Sequence, residues 1–368
     1  MWKLSENKSW EHLTQIFDWV RDMKNVQQDK IYHAEGNVDV HTQMVLDSLT
    51  NDSTYQLLSE QEKEILWASA LLHDVEKRST TVFEPDGSIT SKGHSRKGAQ
   101  TARIILYRDI PTPFDIREQI SALVKYHSLP LWLLEKPDPL KTLISASLEV
   151  NTKWLALLAR ADVLGRICDD KNDLLYRVEC FEEYCKEQNC WGTTKNFATS
   201  IARFSYLQTE NSYVEYIPFE NPSPLVILMS GLPGAGKDSY IKKQYDLPVI
   251  SLDSIRQENK IKATDKTGNG QVIQLAKKKA KEYLGKNQSF VWNATNITRQ
   301  MRSQLIDLFL SYKAKVKIVY IEVPYLKLKQ QNSNREAIVP NGVLEKLVTK
   351  LEVPSLTEAH EIIYEIGK

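Results

Sequence analysis

Residues 225–239 read Leu-Val-Ile-Leu-Met-Ser-Gly-Leu-Pro-Gly-Ala-Gly-Lys-Asp-Ser. An apolar run leads directly into a phosphate-binding loop, whose pattern is glycine, any four residues, glycine, lysine, then serine or threonine. Gly231, Gly236 and Lys237 match the pattern, whereas Asp238 stands where the hydroxyl is expected. A glycine-rich turn between a strand and a helix would not explain the lysine. We therefore expect a nucleotide site.

The chemistry of the loop predicts what it holds. Glycines let backbone N–H groups curl around a polyphosphate, and the Lys237 ammonium reaches the outer phosphates. We predict ATP or GTP as the ligand, with Mg²⁺ held by Asp238 because a carboxylate can replace the missing hydroxyl. The predicted donor-binding residues are Gly231, Leu232, Pro233, Gly234, Ala235, Gly236, Lys237, Asp238 and Ser239.

A proline-rich segment divides the chain into two patterns. Residues 217–224 hold three prolines and are typical of a linker. Before it, apolar residues recur with helical spacing, as in Glu62–Val75 and Trp154–Ile167. After it, candidate strands alternate with helices, as in a parallel sheet built from strand–helix–strand units. The predicted fold is an all-α domain (residues 1–215), a linker (216–224) and an α/β P-loop domain with a parallel sheet (225–368).

The bulk composition is that of a globular chain with uneven charge. From Leu225 onward there are 23 Lys and Arg against 14 Asp and Glu, and the earlier residues carry the other 25 and 33. A basic second half beside an acidic first half suggests that the second half handles a polyanion. No apolar run approaches a membrane span, the start lacks a signal-peptide core, and the four cysteines lack Cys-x-x-Cys spacing. We expect a cytoplasmic protein with no membrane partner.

Histidines and carboxylates in the first half indicate a metal site. His73-Asp74 ends an apolar helix, where two polar side chains cost stability unless something pairs with them. The pair alone is also consistent with a simple helix end. However, Lys77 follows one turn later, and Asp162 and Arg166 share one face of another apolar helix. Carboxylates and histidines beside cations are typical of a metal-dependent phosphate-hydrolysing site, in which Lys77 and Arg166 neutralise phosphoryl charge.

These residues resemble the HD phosphohydrolase superfamily, an all-helical group named for its His-Asp doublet. The resemblance covers roughly residues 30–170 and implies one or two divalent transition metals, with Asp74 bridging two ions. Either His33 or His41 would be the first ligand, and the other would contact phosphate or donate a proton. The metal ligands implied by the resemblance are His33, His41, His73, Asp74, His94, His127 and Asp162.

The second half also carries a candidate acceptor site. Asp253 follows an apolar segment that we predict to be a strand, so it is placed to accept a proton from an attacking hydroxyl; it could equally cap the following helix. The run Ser251-Leu252-Asp253-Ser254-Ile255-Arg256 resembles the acceptor motif of 5′-hydroxyl polynucleotide kinases. That resemblance implies that Asp253 is the general base and that Arg256 binds a strand phosphate. Arg302 is a further candidate for substrate phosphates.

A second segment of this half resembles the lid of such kinases. The segment is Asn332-Ser333-Asn334-Arg335-Glu336. The resemblance implies that Arg335 closes over the phosphates of the donor. A solvated helix face is the alternative reading for Arg335 and for Arg302.

The order of the two modules resembles bifunctional bacterial end-healing enzymes, in which an HD phosphoesterase is fused to a 5′-kinase. The resemblance implies that RNA or DNA ends are the substrates. Their 5′-hydroxyls would be phosphorylated by an NTP, and 2′,3′-cyclic phosphates, 3′-phosphates and 2′-phosphates would be removed, leaving ends for a ligase. Two alternatives are an HD nucleotidase coupled to a small-molecule kinase, and a nucleotide-gated regulatory HD hydrolase.

Overall fold

The computed structural model describes residues 1–219, 223–262, 264–335 and 337–367. The chain divides into two compact units, Met1–Asn196 and Phe197–Lys368. Residues 220–222 of the predicted linker and Glu336 of the predicted lid lie outside the described residues. Within the described residues, no helix combines the length and the apolarity needed to cross a membrane.

The first unit is helical, as predicted. Its longer helices are α1 (Trp10–Ile16), α2 (Val38–Asn51), α3 (Glu60–Leu72), α4 (His94–Ile104), α5 (Phe114–Tyr126), α6 (Pro139–Ser147), α7 (Thr152–Leu164) and α8 (Lys171–Glu187). Shorter helical turns lie at Asp18–Arg21, Asp22–Asn25, Ser53–Gln56, Lys77–Thr80, Ile105–Asp109, Leu129–Trp132 and Leu133–Glu135. A small antiparallel hairpin, β1 (Val82–Phe83) and β2 (Ile89–Thr90), precedes α4.

Helix α3 is the centre of this unit. The Ser59 side chain accepts from the backbone N–H of Glu62, and the Glu62 carboxylate accepts from the backbone N–H of Ser59. This capping box fixes where the helix begins. Residues Glu64–Leu72 are all buried, so this part of α3 is covered around its whole circumference, as expected of a central helix. Its last turn therefore delivers His73 and Asp74 into the interior of the unit.

The second unit contains a parallel sheet, also as predicted. Its elements are α9 (Ser200–Gln208), β3 (Leu225–Ser230), α10 (Lys237–Gln244), β4 (Val249–Ser251), α11 (Leu252–Glu258), α12 (Lys266–Gly285), β5 (Phe290–Asn293), α13 (Arg299–Leu310), β6 (Lys315–Glu322), α14 (Tyr325–Ser333), α15 (Asn341–Val348) and β7 (Glu361–Ile366). The described strands run parallel in the order β4-β5-β3-β6-β7.

Two elements of the second unit differ from the expectation. The predicted first domain ran to residue 215, but α9 belongs to the second unit: Phe204 packs into its apolar core, and Arg203 donates to the carbonyl of His360 at 2.7 Å. Strand β7 was not predicted. It lies at the edge of the sheet, where Glu361 pairs with Lys317 at 2.7 Å.

Candidate functional sites

Five elements of the first unit bring the predicted metal ligands together. His41 comes from α2, His73 and Asp74 from the end of α3, His94 from the first position of α4, His127 from the residue after α5, and Asp162 from α7. All of these side chains are buried except His94, which is 20% exposed. Because these residues come from helices far apart in sequence, tertiary packing assembles the cluster.

Close contact between α7 and α2 holds two of these residues together. A Cβ at Gly165, just after α7, would lie 2.6 Å from Val45 of α2, so only glycine permits this approach. The Gly165 carbonyl then lies 3.2 Å from His41 Nδ1, and His41 Nε2 lies 3.1 Å from Asp162 Oδ1.

The backbone sets the tautomers of the other three histidines. In His73, His94 and His127, Nδ1 lies 2.7–2.8 Å from the carbonyl oxygen of the residue three positions earlier. A carbonyl can only accept a hydrogen bond, so each Nδ1 carries a proton and each Nε2 presents a lone pair. Burial lowers the pKa of His127 to about 3 and also lowers that of His94, which keeps both rings neutral.

These lone pairs converge on the two oxygens of Asp74. On one side, Nε2 of His94 and Nε2 of His127 lie 3.2 Å apart, and 3.3 and 4.0 Å from Asp74 Oδ1. On the other side, Nε2 of His73 and of His41 lie 3.2 and 3.7 Å from Asp74 Oδ2. Each side is a group of acceptors that share one carboxylate.

Acceptors without a donor cost free energy when buried. His41 Nε2, His73 Nε2 and Asp74 Oδ1 are buried without a hydrogen-bond partner, whereas Asp74 Oδ2 lies 2.7 Å from the Lys77 ammonium. Two groups, His41–His73–Asp74 and Asp74–His94–His127, have ligand atoms close enough together to hold a metal ion. Imidazole nitrogen and carboxylate oxygen are both common ligands of divalent transition metals. The donor set therefore fits a metal ion on each side of Asp74.

Glu35 has a role that the sequence did not reveal. Its Oε1 lies 2.8 Å from His33 Nδ1 and 2.9 Å from His41 Nδ1, and its Oε2 accepts from Ile167 N at 2.8 Å. Burial would raise the pKa of Glu35, but the bonds from the two histidines and the backbone hold it well below its usual range. The carboxylate thus orients both rings, as outer partners of metal ligands commonly do. Its place between His33 and His41 in the sequence was the available signal.

The contacts of Glu35 also separate the two histidines that the sequence left open. His41 Nε2 faces Asp74 and Asp162, whereas His33 contacts Glu35 and lies beside the cluster. Burial lowers the pKa of His33 to about 4, against the opposing effect of Glu35, so this ring is neutral near pH 7.

Two cations line the same cluster. Lys77 Nζ lies 2.7 Å from Asp74 Oδ2 and donates to Gln28 Oε1 at 2.7 Å. Arg166 donates through Nε and Nη2 to the two oxygens of Asp162, at 3.1 and 2.5 Å. Burial would raise the pKa of both aspartates, but the neighbouring positive groups hold them well below the usual range. The site therefore combines ionised carboxylates, the neutral imidazoles of His94 and His127, and fixed cations.

In the second unit, the predicted loop connects β3 to α10. Gly231 has a φ of +146°, and a Cβ there would lie 2.3 Å from the carbonyl oxygen of Ile321, so no other residue fits. Lys237 Nζ donates to the carbonyls of Gly231 and Leu232 at 2.8 and 2.9 Å. Burial lowers the pKa of Lys237 to about 8, the charge of Arg335 adds to this effect, and the carboxylates of Asp238 and Asp253 oppose it.

Asp238 is held by a neighbouring strand. Asn293, the last residue of β5, donates from Nδ2 to Asp238 Oδ1 at 2.6 Å. The amide therefore fixes one oxygen of the carboxylate that replaces the usual hydroxyl. No pattern in the sequence predicts this contact, because Asn293 and Asp238 are 55 residues apart. Ser239 lies exposed in the first turn of α10.

The lid segment lies directly against the loop. A Cβ at Gly234 would come within 3.3 Å of the backbone nitrogen of Asn332. The Asn332 side chain holds Val339 in place: its Oδ1 accepts from Val339 N at 3.1 Å and its Nδ2 donates to the Val339 carbonyl at 2.8 Å. Nη1 of Arg335 is buried without a hydrogen-bond partner. Its charge helps to lower the pKa of Lys237.

The residues predicted to bind the acceptor differ in their exposure. Asp253 lies exposed in the first turn of α11 and pairs with Arg256, whose Nε donates to Asn269 Oδ1 at 3.0 Å. Arg302, in contrast, is fully buried: it binds Glu358 through Nε and Nη2 at 2.7 and 2.9 Å, and donates from Nη1 to the Glu352 carbonyl at 2.7 Å. Neither the substrate role nor the solvated-face alternative suits Arg302, because its donors are used inside the unit.

Residues 226–354 match the family model described as the AAA domain. The second unit is a P-loop domain. Among solved structures, a candidate kinase from Chloroflexus aurantiacus J-10-fl is 15% identical over 39% of this chain and 85% of its own, with a TM-score of 0.34. A sugar kinase from Janibacter sp. HTCC2649 is 18% identical over 39% of this chain and 86% of its own, with a TM-score of 0.30. Values this low carry no argument about activity.

Proposed function

We propose that the chain heals nucleic acid ends: its first unit removes terminal phosphates and its second phosphorylates 5′-hydroxyls. The observation that carries the first half is the convergence of buried histidine nitrogens on the carboxylate of Asp74, with Lys77 paired to Asp74 and Arg166 paired to Asp162. This arrangement suits a metal-dependent phosphoesterase of the HD type.

The chain's own residues divide the work in the first unit. His41, His73, Asp74, His94, His127 and Asp162 would hold one or two divalent transition metal ions. When bound, such an ion would polarise the phosphoryl group and acidify a water molecule. Lys77 and Arg166 would offset the charge that builds up on the phosphoryl oxygens. His33, whose Nδ1 is held by Glu35 and whose ring is neutral near pH 7, would move a proton at Nε2.

In the second unit, the loop would hold the NTP and Asp238 would hold Mg²⁺. Lys237 and Arg335 would neutralise the donor's phosphates, as expected when phosphoryl transfer depends on positioning and charge. Asp253 would accept the proton of the attacking 5′-hydroxyl. For this step its pairing with Arg256 must loosen, and a phosphate of the acceptor strand is a suitable new partner for the guanidinium.

One experiment tests both halves. The full chain is mixed with ATP, Mg²⁺, a divalent transition metal and a short RNA that has a 5′-hydroxyl and a 2′,3′-cyclic phosphate, and both ends are resolved. Gain of a 5′-phosphate with loss of the cyclic phosphate is expected. Loss of the cyclic phosphate alone would favour either a nucleotide-gated hydrolase or a small-molecule kinase. Phosphorylation of a mononucleoside acceptor would then indicate the small-molecule kinase. No change at either end would overturn the proposal.

A further inference from the structure

Exposed apolar side chains lie on three segments of the first unit that adjoin, in sequence, residues of the histidine–aspartate cluster. Large exposed hydrophobics are common singly, but here they occur on three segments that each adjoin the cluster. Tyr32 precedes His33, Ile167 follows Arg166, and the β1–β2 hairpin leads into His94. We call this set the rim; its members are Ile31, Tyr32, Val82, Phe83, Leu164 and Ile167.

Hydrogen bonds join the three segments. Ala34 N donates to the Ile167 carbonyl at 2.9 Å, which binds the first segment to the end of α7. Ile89 N donates to Asp29 Oδ2 at 2.9 Å, which binds the hairpin to the first segment. Ile89 is the register partner of Phe83. These bonds tie the three segments together, and Ile167 N also donates to Glu35, the residue that contacts both His33 and His41.

Charge near the rim indicates the chemistry of its ligand. Lys30 is exposed beside Ile31, and Lys92, which follows β2, has a side chain that is 86% exposed and lies 3.9 Å from Glu84 Oε1, a distance at which a phosphate can compete for it. Aromatic rings interleaved with cations are the pattern by which proteins hold single-stranded nucleic acid, since bases stack on the rings while the cations meet the phosphates. Tyr32 and Phe83 are 54% and 64% exposed, enough to offer their faces to a base.

From this arrangement we infer that the rim binds the terminal nucleobases of the strand whose phosphate enters the cluster, chiefly through Tyr32 and Phe83. This inference rests on the proposed phosphoesterase function and adds its recognition of the substrate. Base stacking on an aromatic side chain accounts for about a 5- to 100-fold change in affinity. The effect should appear in KM rather than kcat, because the rings do not touch the reacting atoms.

The test compares the KM of two proteins for each of two substrates. The full-length wild type and the Tyr32→Ala/Phe83→Ala variant act on a strand with a 3′-terminal phosphate, whose last nucleotides carry either bases or abasic sugars. Wild type should favour the base-bearing strand by about 5- to 100-fold in KM, and the variant should lose that preference. Tyr32→Phe should keep it, and so should Tyr176→Ala, which removes an exposed tyrosine of α8. An equal KM for both strands in wild type would overturn the inference.

A second readout does not depend on turnover. With 2-aminopurine as the terminal base, stacking on the rim should quench its fluorescence on binding to wild type but not to the double variant. Quenching without phosphate release would reject the phosphoesterase and leave the rim as a base-binding surface. Phosphate release with equal quenching by both proteins would reject the rim alone.

Discussion

The two candidate sites are built in opposite ways. The loop of the second unit is one run of nine residues, and its donors are backbone groups next to one lysine. The cluster of the first unit gathers side chains from five elements around the buried carboxylate of Asp74. A local site survives changes elsewhere as long as its strand and helix remain. An assembled site depends on packing, and its buried acceptors require a positive partner.

The largest expected effect separates the sites completely. Asp74→Ala removes the carboxylate shared by both acceptor groups, so phosphoesterase activity should fall more than about 100-fold, beyond the loss typical of an outer partner, while kinase activity stays. Lys237→Ala should do the reverse. Both activities are measured on the same strand. Loss of both from either change would show that the sites are coupled.

Substitution of Asp238 tests whether the second site takes its Mg²⁺ ligand from the loop itself. Asp238→Ala should abolish phosphoryl transfer, because the loop then has no group for Mg²⁺ at this position. Asp238→Ser restores the hydroxyl of the common pattern and should retain transfer. Kinase assays across a range of Mg²⁺ concentrations give the result. Unchanged transfer in the alanine variant would reject the assignment.

Arg302 shows that the second unit also depends on buried charge. Arg302→Ala leaves Glu358 buried without its partner, which should lower the free energy of unfolding by about 3–5 kcal/mol. Arg299→Ala, an exposed neighbour, should change it by less than about 1 kcal/mol. Urea denaturation of the second unit measures both. A stable Arg302→Ala variant with weakened strand binding would restore the substrate role.

Glu35 tests the outer layer of the assembled site. Glu35→Gln keeps the shape but replaces one acceptor oxygen with a donor, so the side chain loses its charge and can no longer accept from both the two rings and Ile167 N. Metal affinity and phosphoesterase activity should fall about 10- to 100-fold. Metal titration and kcat/KM are the measurements, with the exposed Glu60→Gln as control. An unaffected metal affinity would show that Glu35 does not orient the ligands.

The smallest effect is a pH dependence of the loop. Burial lowers the pKa of Lys237 to about 8, so above this pH the side chain is a neutral amine that must take up a proton to meet the phosphates. Nucleotide Kd should be flat below pH 8 and rise up to about tenfold per pH unit above it. Lys237→Arg stays charged and should show no such rise. Nucleotide titrations at several pH values measure this dependence. A wild-type Kd that does not change above pH 8 would contradict the lowered pKa of Lys237.

Much of this protein could be read from local patterns. Helical periodicity, the prolines and the glycine–lysine spacing predicted a helical first part and a parallel α/β second part, because each depends on neighbours in sequence. Strand β7 escaped prediction because its place at the sheet edge depends on pairing with β6. Helix α9 was assigned to the wrong side because Phe204 packs in a core formed by later residues.

The site residues divide in the same way. By itself, the sequence determined which residue types were available: the loop, the His73-Asp74 doublet and the cations near them. Only the tertiary structure placed His41 rather than His33 against Asp74, joined both rings through Glu35, set Asn293 on Asp238 and buried Arg302 against Glu358. The physical reason is that hydrogen bonds and ion pairs between distant segments depend on burial and distance, which no spacing along the chain specifies.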